Sequence, residues 1–133
     1  MPRNLPLLMA TGLLAGCTGL QGLDAPAPVA VPTSEMLQAA QMSAYLASLQ
    51  RLVQGSPAEQ AEVLAATRAG HEAVHEGPAL LHYALVLAAP AHPGRDPGHA
   101  QRLLREALAR PELLNTGERA LAVVELQRVD DEL

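Results

Sequence analysis

The residues with the most evident chemical potential are His71, Glu72 and His75, in the stretch HEAVH. On a helix, two imidazoles four residues apart fall on one face and can share a zinc ion. The glutamate between them can then act as general base on a metal-bound water. That donor set belongs to zinc-dependent peptide hydrolysis. A catalytic zinc also needs a third protein ligand and an open position for water. The other histidines are His82, His92 and His99, and none follows at the short spacing that would complete such a site. Glu76 directly follows His75 but belongs to a different helical face. The competing reading is a helix running to about Glu76 and stopping at Gly77-Pro78. In it His71 and His75 occupy the last two turns, where the negative pole of the helix dipole favours them. Gly70 lies just before the motif and costs about 1 kcal/mol relative to alanine in a helix interior, a weak footing for a rigid metal site. This second reading leaves no catalytic residue, no metal ligand set and no cofactor, with the zinc-dependent hydrolase as the alternative.

A different chemistry is offered by Cys17, the single cysteine. The segment MPRNLPLLMATGLLAGC has one early positive charge, Arg3, then an apolar run from Leu5 to about Gly16. That run is shorter than the roughly 20 apolar residues of a membrane-spanning helix and suits a secretory signal peptide. Its end, Leu14-Ala15-Gly16-Cys17, resembles the bacterial lipobox. The resemblance implies removal of residues 1–16, acylation of Cys17 and anchorage by several acyl chains. Thr18 follows the cysteine instead of an aspartate, which in that family implies the outer membrane, with the protein facing the periplasm. Residues 17–32 then read as a lipidated N-terminus and a Pro/Ala-rich tether, because APAPVAVP favours extended, polyproline-like geometry. With one cysteine, no disulfide can staple the exported domain at 33–133.

Composition narrows the partners. The formal charge is −5, there is no lysine, and Tyr45 and Tyr83 are the only aromatic residues of the Phe/Trp/Tyr class. Such a chain lacks the basic footprint of a nucleic-acid binder and the aromatics of a base- or sugar-stacking site. It gives no sign of a small-molecule substrate either. One irregular segment stands out, HPGRDP at 92–97, where prolines stiffen the backbone. His92, Pro93, Arg95 and Asp96 are its candidate partner-binding residues, with Arg95 expected to be exposed. The same segment also reads as a turn in which Asp96 caps the next helix.

The elements that would carry these residues are helical. Alanine and leucine dominate, and no window alternates with the period of a strand. Thr33 and Ser34 open a helix whose Met42, Tyr45, Leu46, Leu49, Leu52 and Val53 recur at helical spacing up to Gly55. Ser56-Pro57-Ala58-Glu59 is a capping box for a second. PALLHYALVLA is the most apolar segment and is expected at the buried centre. Asp96-Pro97 starts a fourth helix that Pro111 ends, and Thr116 is expected to cap a fifth, with Leu121, Val124 and Val129 facing inward. The fold class is all-α: about five short helices, as a small antiparallel bundle or a stack of helical hairpins.

Two further resemblances bear on that choice and on function. Ala100, Leu104 and Ala107 followed by Pro111 resemble the second helix of a tetratricopeptide repeat, in degenerate form. The stretch ALLHYALVLAAPAHPGRDPGHAQRLL, with Pro90, Pro93 and Asp96 in its loop, is similar to the QseG-type periplasmic lipoproteins that accompany a sensor kinase. Together they imply a protein-binding module whose partner is a sensor kinase's periplasmic domain. An envelope component is the other candidate partner, which would make the chain an assembly factor.

Overall fold

The computed structural model describes residues 30–133, and within them it contains five α-helices. They are α1 (Ser34–Gln54), α2 (Pro57–Ala73), α3 (Gly77–Ala88), α4 (Pro97–Ala109) and α5 (Thr116–Glu132), with one 3₁₀ turn at Pro111–Leu113. No strand occurs among the described residues. None of the described helices is long and apolar enough to cross a membrane. Cys17, the signal segment and most of the tether lie outside the described residues.

Four of the helices start where a side chain holds a free N–H group. Thr33 Oγ1 accepts from Met36 N at 3.3 Å. Ser56 and Glu59 form the expected reciprocal box, the Glu59 carboxylate accepting from Ser56 N at 2.7 Å. Asp96 Oδ1 accepts from His99 N at 2.8 Å. The start of α5 differs from expectation, because Asn115, not Thr116, is the cap. Asn115 Oδ1 accepts from Glu118 N at 3.0 Å, and Glu118 Oε2 accepts from Asn115 N at 2.9 Å. Thr116 is already the first helical residue. At α3, Glu76 makes no side-chain cap. Gly77, expected as a stop, instead begins this helix with φ of +62°, in the left-handed region that glycine adopts without strain.

Helices packed in chain order build the core. The principal packings are α1 with α2 and α3, α2 with α3, α3 with α4 and α5, and α4 with α5. This order describes antiparallel hairpins laid one on the next, with α3 in the middle. The expected apolar centre is there: Leu80, Leu81, Leu85 and Val86 are buried almost completely. Onto it α4 lays Ala100, Leu103, Leu104 and Ala107. The stripes on α1 and α5 are narrower than their sequences suggest. Tyr45 and Leu52 are buried, but Leu46 and Val53 are exposed. On α5 the inward face is Glu118, Ala122 and Val129, while Val124 faces solvent.

One polar link crosses this core. The Tyr45 hydroxyl of α1 donates to Glu118 Oε1 of α5 at 2.7 Å and lies 3.3 Å from the Pro78 carbonyl of α3. Both residues are buried. Burial first, then the Glu118 carboxylate, hold the Tyr45 phenol well above its usual range.

Candidate functional site

The spacing of HEAVH would put both histidines on one helix face, but the helix does not extend that far. The helix α2 ends at Ala73, and Val74 turns to extended backbone at φ −136° and ψ 101°. His71 therefore sits in the last helical turn, whereas His75 lies in the link to α3. The early stop follows from Gly70, which is helical but poorly retentive, and from the β-branched Val74.

The two histidines still meet, as part of a column of rings. The His71 and His75 centroids are 5.3 Å apart. His71 stacks on Tyr83 of α3 at 5.4 Å, and His99 of α4 sets its ring edge-on to Tyr83 at 5.9 Å. The Tyr83 hydroxyl accepts from Arg68 Nε at 3.2 Å. Burial lowers the His71 pKa, and the His75 charge lowers it further. Tyr83 thus stands between His71 and His99 and keeps a third imidazole from the pair. Among the described residues, no three His, Cys, Asp or Glu side chains stand close enough to hold a metal ion. Glu72 faces solvent. The column joins α2, α3 and α4 by packing, with no general base aimed at a shared metal position.

The second candidate, the loop from Ala89 to Asp96, is clamped down. His92 is largely buried, its Nε2 lies 2.8 Å from the Val86 carbonyl, and with Pro93 and Gly94 it lines a small pocket of about 130 Å³ against α2. Asp96 N donates to the Leu87 carbonyl at 2.9 Å. Gly94 presses on α2 so closely that a Cβ there would lie 2.2 Å from Leu64 Cδ2. Arg95, expected to be exposed, is only 25 % exposed in its side chain and pairs with Glu132 of α5. The guanidinium lies back over the C-terminal turn of α5, where its charge also meets the negative end of the helix dipole. Pro93 and Asp96 remain exposed, but Asp96 is occupied as the α4 cap.

A third place was not singled out from sequence. Between α1 and α2, over the first turns of α3, lies a cleft of about 490 Å³. Gln41, Ser48 and Arg51 line it from α1, Ala66 and Gly70 from α2, and His82 from α3. Its floor carries a Ser–His pair, with Ser48 Oγ and His82 Nε2 2.9 Å apart. Half-buried His82 also rests on the Tyr45 ring at 4.9 Å, and burial lowers its pKa, which favours the neutral imidazole. Ser48 and His82 lie inside helices, where their own backbone N–H groups are bonded to the preceding turn. Neither can offer the paired backbone donors that steady a tetrahedral oxyanion. The cleft can enclose apolar side chains and offer them a few polar contacts. The sequence signal for it was Gly70, a glycine inside a helix with nothing within 4 Å of an added Cβ.

Searches of protein-family models, of curated proteins and of solved structures find no match to the chain.

Proposed function

We propose that the chain is a membrane-anchored periplasmic lipoprotein whose helical domain acts by binding another protein, modulating a sensor kinase. The observation that carries the anchor is Leu14-Ala15-Gly16-Cys17 at the end of a short apolar run. Acylated Cys17 holds the protein at the outer membrane, and the Pro/Ala-rich segment before Thr33 sets the reach of the domain into the periplasm. The binding role is supported by stacked helical hairpins with an open cleft, since arrays of this kind present grooves to peptides and domains. The kinase is suggested by the resemblance in residues 79–104.

Two measurements test this. Cys17→Ser should leave the precursor uncleaved by the lipoprotein peptidase, or release a soluble form, with loss of an acyl label. A variant that fractionates with the membrane and keeps its label overturns the anchor. Crosslinking in intact cells from Pro93 and from Ala66 should recover a periplasmic protein domain; recovery of none overturns the binding role. Zinc content separates the hydrolase alternative. Stoichiometric zinc in the untagged chain, lost in His71→Ala, would favour it over the binding module.

A further inference from the structure

The crossing from α2 to α3 is bracketed by two glycines and held in part by a pair of imidazoles. Gly70 is a helical residue whose Cβ position meets nothing within 4 Å, and Gly77 turns the chain at φ +62°. Between them α2 ends at Ala73, and Val74, His75 and Glu76 lead across to α3. Three contacts fasten this link. Val74 N donates to the Gly70 carbonyl at 3.0 Å, the His75 ring lies 5.3 Å from that of His71, and Glu76 pairs with Arg110 at the end of α4. Of the three, only the imidazole contact is made by groups whose ordinary charge change falls between about pH 5 and 8.

The imidazole pair fits its neutral form. His71 is half-buried against Tyr83, and its Nδ1 is enclosed by protein with no hydrogen-bond partner. An imidazolium carries a proton on both ring nitrogens, so protonation leaves a buried N–H at Nδ1 without an acceptor. The charges around the column add to this. Arg68 and Glu72 face it from α2, His99 and Glu106 from α4, and α3 supplies Tyr83, whose hydroxyl is already taken by Arg68. Once protonated, His71, His75 and His99 join Arg68 as four cations against two carboxylates. One of those, Glu106, is shared with Arg110. His75 is exposed and free to move, whereas His71 is stacked on Tyr83.

We propose that the link is an acid-released latch: when the His71–His75 pair takes up protons, His75 moves away from α2 and the last turn of that helix opens between Gly70 and Gly77. Opening separates the two like charges and brings His71 Nδ1 to water. Burial first, then the His75 charge, lower the His71 pKa on folding from 6.5. The closed link is therefore fully favoured above about pH 6.5 and loosens as the pH falls below it. Val74 and Glu76 also line the cleft beside α1, so release of the link alters its mouth. The latch is independent of what the domain binds.

The Val74 amide reports the latch, because its bond to the Gly70 carbonyl exists only while the last turn of α2 is closed. Hydrogen exchange of the full chain, read by NMR relative to an unstructured peptide at each pH, gives its protection. That protection should fall at least about tenfold from about pH 7.5 to pH 5, and the Leu85 amide in the middle of α3 should lose less. His75→Gln removes one charge at an exposed position and should limit the fall at Val74 to about threefold. No fall at Val74, or an equal fall in His75→Gln, overturns the proposal. A fall shared equally by Leu85 means that the whole domain opens in acid, and overturns it too.

Discussion

Tyr45→Phe removes one oxygen from the middle of the domain and should cost more than any other single-atom change. The Tyr45 hydroxyl donates to a carboxylate at 2.7 Å, with both residues buried. After the change, Glu118 keeps only the Asn115 N–H at 2.9 Å, and one of its oxygens faces an aromatic ring edge. A hydrogen bond to a charged group contributes about 1.5–3 kcal/mol, and a buried charge left short of partners adds to the loss. The expected destabilisation is about 2 kcal/mol. For a helical domain of this size that lowers Tm by roughly 8–16 °C, at about 4–8 °C per kcal/mol. Urea and thermal unfolding of the full chain, followed by circular dichroism near pH 7, measure it. Tyr83→Phe is the control, because that hydroxyl merely accepts from Arg68 at 3.2 Å. Its loss should stay within about 0.5 kcal/mol. The Tyr45–Glu118 pair should also show a coupling above about 0.5 kcal/mol in a cycle with Glu118→Gln. Alkaline pH gives an independent reading. The Tyr45 phenol is raised by burial in the folded chain, while the unfolded one ionises near pH 10. Its contribution is therefore present below about pH 10 and is lost as the pH rises beyond it, and Tyr45→Phe should lack that limb. Equal costs for the two tyrosine changes, together with no alkaline difference, would refute the keystone role.

Acid should act through His82 and His71. Both have pKa values lowered by burial from 6.5, so their contribution is full above the unfolded value and falls away as pH drops below it; His82→Gln should flatten this fall in Tm between about pH 6.5 and 5. Gly70→Ala should raise stability by about 0.5–1 kcal/mol, since the added methyl meets nothing, and a loss on urea unfolding would contradict the open geometry of α2. Asn115→Ala should cost about 1 kcal/mol and Thr116→Ala less than about 0.5 kcal/mol; the reverse order would return the α5 cap to Thr116. Arg95→Glu sets like charges together at Glu132 and should lower stability by about 1 kcal/mol, whereas an unchanged melting curve would mean that the pair contributes nothing.

The helices were legible in the chain because their signals are local. Ser56 and Glu59, Asp96 and Pro97, and the leucines of PALLHYALVLA act through neighbours three or four residues away. Caps and periodicity of that kind do not depend on the rest of the fold. Even the displaced cap at Asn115 missed by a single residue, within a box whose other half, Glu118, was in the sequence. Other features depended on distance in space. Leu46, Val53 and Val124 fit helical stripes, yet only the placement of neighbouring helices decided that they stay exposed. His75 left the helix at Val74, while Tyr83 of α3 stacks on His71 and is itself met edge-on by His99 of α4. Arg95 found Glu132 thirty-seven residues away, which no spacing rule could foresee. The cleft is the plainest case. Gly70 reads in sequence as a weak helix end, but with α1 standing apart and α3 beneath it becomes the wall of an open groove. Local chemistry settles where each helix begins. The faces that close and the gaps that stay open are set by packing all five together, because burial is a property of neighbours that the chain brings from afar.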